Sequence, residues 1–447
     1  MDVMKHTPRT AIIGAGVSGL TAGKALCEKG IPYSCFEASD DIGGNWYFKN
    51  PNGRSSAYRS LHIDSSRQTL SFRDFPMPDD YPDFPHHAEI LCYLHAYVDK
   101  FALRAQIRFN TTVQKAERLP GGGWTLTLSN GMQEKFDRLL VCNGHHWNPL
   151  WPTPAYPGTF DGKQIHSHDY IDPTDPLDLR DKRVLVVGIG NSAVDIVSEL
   201  ARRGVAEKVF ISTRSGAYVM PKYLFGKPID QVVKTTPWLH AGFQRWLAQI
   251  LPRIASGRVE DFGLPKPNHK FLEAHVTVSS ELLLRLGSGD AKAKGNLAAL
   301  EGKQVRFEDG SVETVDVIIW STGYKITFPF FDENFINAPN NVLPLWKRIF
   351  KPGLDDLAFI GLAQSIPTLF TFAEGQSKLV ARWLAGEWVA PGEAEMLRDI
   401  ASDEAMNSHY GKRARHTMQV DCNHYEYEMR RKLVPAGEKR AKALQAA

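Results

Sequence analysis

Two glycine-rich turns in this sequence carry the residue types that bind phosphate groups. The first is Gly14-Ala15-Gly16-Val17-Ser18-Gly19, and the second is Gly188-Ile189-Gly190-Asn191-Ser192-Ala193. Glycines at this spacing permit a tight turn and let main-chain N–H groups approach a pyrophosphate at the start of a helix. Each turn could therefore bind a dinucleotide.

The residues around the first turn predict a strand, the turn, a helix and a second strand in succession. A β-prone run at 9–13 precedes the turn, and apolar residues recur at helical spacing over 20–30. The next β-prone run, 33–36, ends in Glu37, whose carboxylate can accept hydrogen bonds from ribose hydroxyls. This context favours dinucleotide binding over a plain loop.

The second turn has the same context but a different ending. A β-prone run at 183–187 precedes it, and the strand predicted at 208–212 is followed by Thr213 and Arg214 rather than by an acid. A guanidinium can hold a 2′-phosphate through paired hydrogen bonds, whereas a carboxylate would repel it. The second turn therefore predicts NADP rather than NAD, and the alternative is that Arg214 is a solvated surface residue.

An internal repeat extends beyond the two turns. The segment 136–144 matches 315–323 in pattern: an apolar residue, Asp, any residue, four mostly apolar residues, a small polar pair and Gly. A hairpin turn is predicted before each segment, at 130–131 and at 309–310. A repeat of this size predicts two dinucleotide modules. Because such paired dinucleotides usually exchange electrons, we expect a flavoprotein that uses a nicotinamide cofactor.

Composition excludes several other classes of protein. The 447 residues include 53 Lys and Arg against 50 Asp and Glu, and a formal net charge of +3 is too small to predict nucleic-acid binding. We see no signal peptide and no apolar run of about 18 residues, so we expect no membrane span. The five cysteines are odd in number and contain no C-x-x-C pair, which favours a reducing compartment. These features predict a cytoplasmic protein without a bound metal.

The cysteines also argue against one class of flavoprotein. Pyridine-nucleotide disulfide reductases need two closely spaced cysteines beside the flavin. Here Cys27 and Cys35 fall in the helix and the second strand of the first module, where we expect both to be small core residues.

A segment between the two modules resembles a family fingerprint. Residues 160–170 read F-D-G-K-Q-I-H-S-H-D-Y, which is similar to the F-x-G-x-x-x-H-x-x-x-Y pattern of flavin-containing monooxygenases. Tyr170 at its end, instead of Trp, separates that family from its Baeyer–Villiger relatives. The resemblance covers nearly the whole chain, in order, through the segments 43–46, 72–78, 263–267, 321–324 and 374–376.

The resemblance implies an α/β fold with two Rossmann-like dinucleotide-binding domains, the NADP domain being inserted into the FAD domain. Residues 1–158 would form the first part of the FAD-binding domain and residues 159–320 the NADP-binding insertion. Residues 321–447 would be the C-terminal return to the FAD-binding domain.

The resemblance also implies which residues bind the cofactors. FAD would be bound by the first turn together with Glu37, Asn45, Trp46 and Ser65. NADP would lie near Ile63, Asp64, Arg214 and the segment Ser192-Ala193-Val194-Asp195. Further cofactor-binding candidates are Gly44, Val113, Gly188, Gly190, Asn191, Thr213, Thr322 and Gln376.

The chemistry implied by the resemblance is an NADPH- and O₂-dependent oxygenation. NADPH would reduce FAD, O₂ would add at the flavin C4a, and the hydroperoxide would oxygenate a soft nitrogen or sulfur of a small lipophilic amine or thioether. Two alternatives stay open, namely Baeyer–Villiger oxidation of a ketone by the same intermediate and a non-catalytic dinucleotide-binding redox sensor. A predicted amphipathic helix at 237–252 could support a homodimer.

One position departs from the family pattern. The family typically has Asn where this chain has Asp64, and an ionised carboxylate lacks the N–H donors of an amide. We therefore expect Asp64 to be a catalytic residue that is charge-paired, with Arg67 or Arg59 as candidate partners, and this keeps ketone oxidation open. The alternative is an Asp without a part in the chemistry. For His166 we expect a structural role in orienting the linker.

Overall fold

The protein is described by a computed structural model over residues 8–232, 246, 250, 253–254, 257–269, 271, 276–407 and 418–446. The chain forms two compact units. The first unit comprises Met1–Ser55, Arg67–His145 and Ile326–Ala447, and the second comprises Ser56–Ser66 and His146–Lys325. The chain thus leaves the first unit and returns to it, as expected for an inserted domain. The predicted amphipathic helix at 237–252 lies almost entirely outside the described residues.

The strands of the described chain are, in order, β1 (Thr10–Ile13), β2 (Tyr33–Phe36), β3 (Ile107–Arg108), β4 (Val113–Arg118), β5 (Trp124–Leu128), β6 (Gln133–Phe136), β7 (Arg138–Val141), β8 (Gly158–Phe160), β9 (Lys163–His166), β10 (Arg183–Val187), β11 (Lys208–Ser212), β12 (Val219–Met220), β13 (Tyr223–Leu224), β14 (Lys227–Pro228), β15 (Thr277–Val278), β16 (Ala291–Lys294), β17 (Leu297–Gly302), β18 (Gln304–Phe307), β19 (Val312–Thr314), β20 (Val317–Trp320), β21 (Leu357–Phe359), β22 (Gln364–Ile366) and β23 (Gln419–Asp421).

The α-helices described are α1 (Val17–Glu28), α2 (Arg67–Leu70), α3 (His87–Lys100), α4 (Asn191–Leu200), α5 (Ile229–Val232), α6 (Leu282–Gly287), α7 (Leu369–Leu384), α8 (Glu393–Asn407), α9 (Cys422–Glu428) and α10 (Val434–Ala446).

The first unit contains a parallel sheet in the order β21-β7-β1-β2-β3. Its central strand β1 is buried throughout, which explains its continuous run of small and apolar residues. The chain crosses from β1 to β2 through α1, and the antiparallel strands β4, β5 and β6 then lead into β7. The pairing of β21 with β7 brings the C-terminal part of the chain back to this sheet.

The second unit repeats this plan. Its parallel sheet has the order β16-β11-β10-β20-β9, and α4 crosses from β10 to β11. The antiparallel strands β17, β18 and β19 precede β20 as β4, β5 and β6 precede β7. The predicted repeat and both hairpins are therefore confirmed, and the fold is α/β with two Rossmann-like domains.

Apolar side chains fill a separate core in each unit. In the first unit, β1 and β7 pack with a cluster of phenylalanines that includes Phe328 and Phe331. In the second unit, the apolar face of α4 packs against β10, and Tyr170 at the end of the fingerprint belongs to this core. Cys35 is buried as expected, but the prediction for Cys27 was wrong because its side chain is exposed.

No helix among the residues that the structure describes combines the length and the apolar character needed to cross a membrane.

The first glycine of each turn lies against the end of the strand that closes its copy of the internal repeat, β7 in the first copy and β20 in the second. A Cβ on Gly14 would be 2.7 Å from the carbonyl oxygen of Cys142, which directly follows β7. A Cβ on Gly188 would clash in the same way with the carbonyl oxygen of Ser321, which directly follows β20. Both glycines have positive φ angles, 100° and 139°. Only glycine therefore fits these two positions, for reasons of both conformation and space.

This geometry predicts that Gly188→Ala will destabilise the protein more than a glycine substitution at an open turn. Gly310 is the matched control, since it also has a positive φ, 80°, but nothing lies within 4 Å of the position that a Cβ would take there. We expect Gly310→Ala to cost about 1 kcal/mol in free energy of unfolding, from backbone strain alone. Gly188→Ala should cost at least about 3 kcal/mol, because the clash adds to the strain. Denaturant unfolding measures both values, and equal losses would contradict the close-approach argument.

Candidate cofactor sites

The helices that follow the two glycine turns begin without a side-chain cap. Gly16 and Gly190 are the N-cap residues of α1 and α4, and neither helix has an acidic residue in its first turn. By contrast, His86, Thr368 and Asp421 cap α3, α7 and α9 with their side chains. The N–H groups and the positive end of the helix dipole at α1 and α4 therefore fit a phosphate anion.

Glu37 lies beside the first turn at the end of β2. Its side chain is buried, and its two carboxylate oxygens accept hydrogen bonds from the N–H groups of Ala15, at 2.7 Å, and Ser39, at 2.9 Å. Burial raises the pKa of Glu37, while these N–H donors and the charge of Arg54 oppose the rise. The structure thus brings the predicted ribose-binding carboxylate to the turn.

A second glycine segment braces the first turn. Gly44, Asn45 and Trp46 form a short 3₁₀ helix, and the Cα of Gly44 would be 3.5 Å from a Cβ on Gly16. The indole of Trp46 lies edge-on to Phe370, with 6.3 Å between ring centroids. These candidates are therefore close to the turn, as a cofactor-binding role requires.

Other predicted cofactor residues are held by contacts within their own unit. Val113 is the buried first residue of β4. The Gln376 side chain is fully buried, accepts from the N–H of Gly361 at 2.8 Å and lies 3.2 Å from the hydroxyl of Tyr425. Thr322, which follows β20, donates its hydroxyl to the carbonyl of Leu150. Cofactor contacts of these three residues, and of Ser65, stay predictions.

The residues predicted to select NADP follow β11. Thr213 is buried and donates its hydroxyl to the carbonyl of Ser215 at 2.6 Å. Arg214 is exposed and forms no ion pair with any residue in the described part of the chain. Burial raises the pKa of Tyr156, and the positive charge of Arg214 nearby partly opposes this rise. An exposed guanidinium without a carboxylate partner is what a 2′-phosphate site requires.

Tyr156 is a neighbour of Arg214 that sequence reasoning missed. Its ring stacks on Trp320 with 5.8 Å between centroids, and its hydroxyl donates to the Asn296 side chain at 3.1 Å. The residue lies in the proline-rich stretch before β8, where no periodic pattern indicates which side chains are fixed.

The predicted partners of Asp64 were wrong. Arg59 pairs with Asp172 at 2.8 Å, and Arg67 pairs with Asp79 at 3.0 Å. The cation beside Asp64 is Lys222, whose Nζ lies 3.9 Å from Asp64 Oδ1 and donates to the carbonyl of Ile63 at 3.1 Å. Lys222 follows β12 and is more than 150 residues away in sequence, so no local motif predicted this pairing.

Asp64 and Asp195 form a pair of carboxyl groups with raised pKa values. Burial is the main cause of the rise at Asp64, the charge of Asp195 adds to it, and Lys222 and Asn191 oppose it. Burial also raises the pKa of Asp195, against the hydroxyl of Tyr58 and the charge of Lys222. The pair therefore keeps a proton at pH values where an ordinary Asp is ionised.

The fingerprint residues are structural members of the second unit. Tyr170 is fully buried and donates its hydroxyl to Glu199 at 2.8 Å, and Ser60 donates to the same carboxylate oxygen at 3.0 Å. His166 accepts a hydrogen bond at Nδ1 from the N–H of His168 at 3.0 Å. Burial and the charge of His168 lower the pKa of His166 to about 4, so its ring is neutral near pH 7.

Comparison with known proteins places this geometry in a family. The family model described as Flavin-binding monooxygenase-like matches residues 7–436. The chain belongs to this family. It is a flavin monooxygenase that uses FAD and NADP, and the glycine turns, the uncapped helices and Glu37 fit these cofactors.

Individual proteins agree with the flavin-binding monooxygenase assignment. The chain is 37% identical over 448 residues to rat "Dimethylaniline monooxygenase [N-oxide-forming] 2", which covers 94% of this chain and 82% of the relative. S-allyl-L-cysteine S-oxygenase from Allium sativum matches with a TM-score of 0.71 and 26% identity, over 98% of this chain and 93% of that one. An oxidised steroid monooxygenase bound to NADP, at 18% identity, shares the fold with a TM-score of 0.72 over 97% and 99% of the two chains.

The position of Arg214 predicts the preference of this monooxygenase for NADPH. Arg214→Gln should raise KM for NADPH about 10- to 100-fold, the effect of losing charge-assisted hydrogen bonds to a phosphate, and should change KM for NADH little. Steady-state kinetics with both nucleotides measures the two effects. Arg180→Gln is the control, because Arg180 is exposed and paired with Asp178 at 2.7 Å. An equal loss with NADPH and NADH would contradict the assignment of Arg214 to the 2′-phosphate.

Proposed function

We propose that this flavin-binding monooxygenase oxygenates nitrogen or sulfur atoms of small lipophilic substrates, with NADPH and O₂ as co-substrates. The observation that carries the proposal is the 37% identity, over 94% of the chain, to an N-oxide-forming monooxygenase. The likeness to an S-oxygenase at 26% identity supports sulfur as a second acceptor atom. Tyr170 also supports nitrogen or sulfur oxygenation over ketone oxidation, because Tyr rather than Trp ends the fingerprint. Its hydroxyl donates to Glu199 inside the second unit.

In this proposal each unit binds one cofactor through its own turn. The first unit would bind the FAD pyrophosphate at the N-terminus of α1 and the ribose at Glu37, and the second would bind the NADP pyrophosphate at the N-terminus of α4. Arg214 would bind the 2′-phosphate. The two cofactors, held at these turns, would supply hydride transfer and the reduction of O₂ that oxygenation needs.

The side chains described here position the cofactors rather than carry out acid–base steps. His166 is neutral near pH 7 and packs edge-on against Tyr324, with 5.6 Å between ring centroids, so it orients the fingerprint segment. The segment Ser56–Ser66 is fixed on α4, because Tyr58 donates to Asp195 and Ser60 donates to Glu199. Ile63 and Asp64 are thereby positioned beside Lys222. A cytoplasmic location and a homodimer belong to the proposal as expectations.

Ketone oxidation is the second candidate, and Asp64 is the observation that favours it. Asp64 lies 3.9 Å from the cation Lys222. Such an acid–cation pair differs in charge and in hydrogen-bond donors from a neutral amide, so it would stabilise a different charge on the reacting oxygen. The redox-sensor alternative has less support, because the family and the named relatives are monooxygenases.

A substrate screen on the purified FAD-loaded protein tests the proposal. NADPH consumption and hydrogen peroxide release are followed together with a tertiary amine, with a thioether such as S-allyl-L-cysteine, and with a cyclic ketone. We expect the amine or the thioether to increase NADPH consumption, to lower the peroxide released per NADPH and to yield an N-oxide or S-oxide by mass spectrometry. Lactone formation from the ketone, without N- or S-oxide, would establish the second candidate instead. NADPH that does not reduce the flavin would leave only the sensor.

A further inference from the structure

Asp64 lies at the start of α4, the helix that follows the second glycine turn. Asn191 is the first residue of this helix, and its Oδ1 accepts a hydrogen bond from the N–H of Val278 at 3.0 Å. Its amide nitrogen is thereby left to donate to the carboxyl group of Asp64. Asp64 therefore lies near the helix N-terminus, where the proposed function places the NADP pyrophosphate.

In the described part of the chain, Asp64 lies between the cation Lys222 and the acid Asp195. About a quarter of the side chain is exposed, but its Oδ1 is buried and accepts no hydrogen bond from any residue that the structure describes. From α4, Asp195 faces it, and Asp195 in turn lies near Glu199 and Glu281. Glu281 pairs with Arg202 and Arg285, each at 3.5 Å.

The other neighbours come from two further segments. Lys222 is the cation, and Tyr58 supplies a hydroxyl that donates to Asp195 and not to Asp64. The Ser56–Ser66 segment is itself held at its end, because the N–H of Ser66 donates to Asp230 of α5.

A single ammonium group cannot balance two neighbouring carboxylates and a bound pyrophosphate together. Neighbouring like charges disfavour full ionisation, and a further anion at the same helix end strengthens this effect. An amide in place of Asp64 would have no such cost, since it is neutral at every pH.

We propose that NADP binding is coupled to proton uptake by the carboxyl pair of Asp64 and Asp195, which makes this pair a proton-linked element of the nucleotide site. The inference rests on the proposed function, specifically on the assignment of the second turn to the NADP pyrophosphate.

The sign of the coupling follows from linkage. An anion that binds beside a carboxyl group raises the pKa of that group, so the protonated form binds NADP more tightly. The affinity for NADP is then highest at low pH and falls as the pair ionises in the free protein. If NADP binding raises the pKa of the pair by one unit, the affinity for NADP falls about tenfold between the pH at which the pair is protonated and the pH at which it is ionised. Because burial already raises both pKa values, the loss falls in the neutral to alkaline range.

Titration calorimetry measures this coupling without turnover. NADP⁺ is titrated into the oxidised, FAD-loaded protein from about pH 6 to about pH 9, in pairs of buffers with different ionisation enthalpies. The slope of the observed enthalpy against the buffer enthalpy gives the number of protons taken up. We expect uptake of a fraction of one proton that rises with pH, together with a falling affinity.

Asp64→Asn is the decisive variant, because it replaces the acid with a neutral group of the same shape. We expect its proton uptake to fall close to zero and its affinity for NADP⁺ to lose most of its pH dependence. Asp178→Asn is the matched control and should behave as the wild type, since Asp178 is exposed and its pKa of about 2 keeps it ionised throughout the range.

Lys222→Met provides an independent test if Asp64→Asn proves unstable. Removing the ammonium group that lies beside the pair raises the pKa of the pair further, so the uptake should move to higher pH. Unchanged uptake in either variant, or none in the wild type while NADP⁺ binds normally, would overturn the inference and leave the NADP assignment intact. No binding of NADP⁺ at any pH would overturn the assignment itself, and the inference with it.

Discussion

The exposure of main-chain N–H groups at the start of two helices is the feature on which the rest of this structure depends. A pyrophosphate can reach those groups only if the turn before each helix has no side chains in the way, and the turn is tight enough only if it contacts the end of a neighbouring strand. Gly14 and Gly188 meet both conditions, because each lies against the first carbonyl after β7 or β20. The parallel pairing of β7 with β1, and of β20 with β10, meets this requirement because it brings the carboxyl end of each strand beside the turn.

Tyr170 illustrates how a family fingerprint can act through packing. Its hydroxyl and that of Ser60 share one carboxylate oxygen of Glu199, so the end of the fingerprint and the Ser56–Ser66 segment are fixed to the same helix. Tyr58 adds a second attachment one helical turn earlier, at Asp195. A larger indole in place of Tyr170 would have to displace this arrangement, since the phenol ring is already fully buried.

Much of the fold could be predicted from the sequence because its signals are local. A glycine turn, the strand before it and the acid or arginine after the next strand lie within a few dozen residues, and the hairpins at 130–131 and 309–310 follow from turn residues. The Asp64 site could not be predicted in the same way. Its cation, Lys222, comes from an irregular segment far along the chain, and the nearer Arg59 and Arg67 have carboxylate partners of their own. Tyr156 was missed because proline-rich segments lack periodicity.

The Ser56–Ser66 segment also determines which gene fragments can encode a complete second unit. The chain passes between the two units four times, at 55–56, 66–67, 145–146 and 325–326. A gene fragment encoding only 146–325 would therefore contain the whole parallel sheet but would lack Tyr58 and Ser60, which satisfy the carboxylates of Asp195 and Glu199. Exchange of this unit between relatives, in evolution or in the laboratory, must carry both stretches of sequence together; otherwise Asp195 loses the hydroxyl of Tyr58, and Glu199 keeps that of Tyr170 but loses that of Ser60.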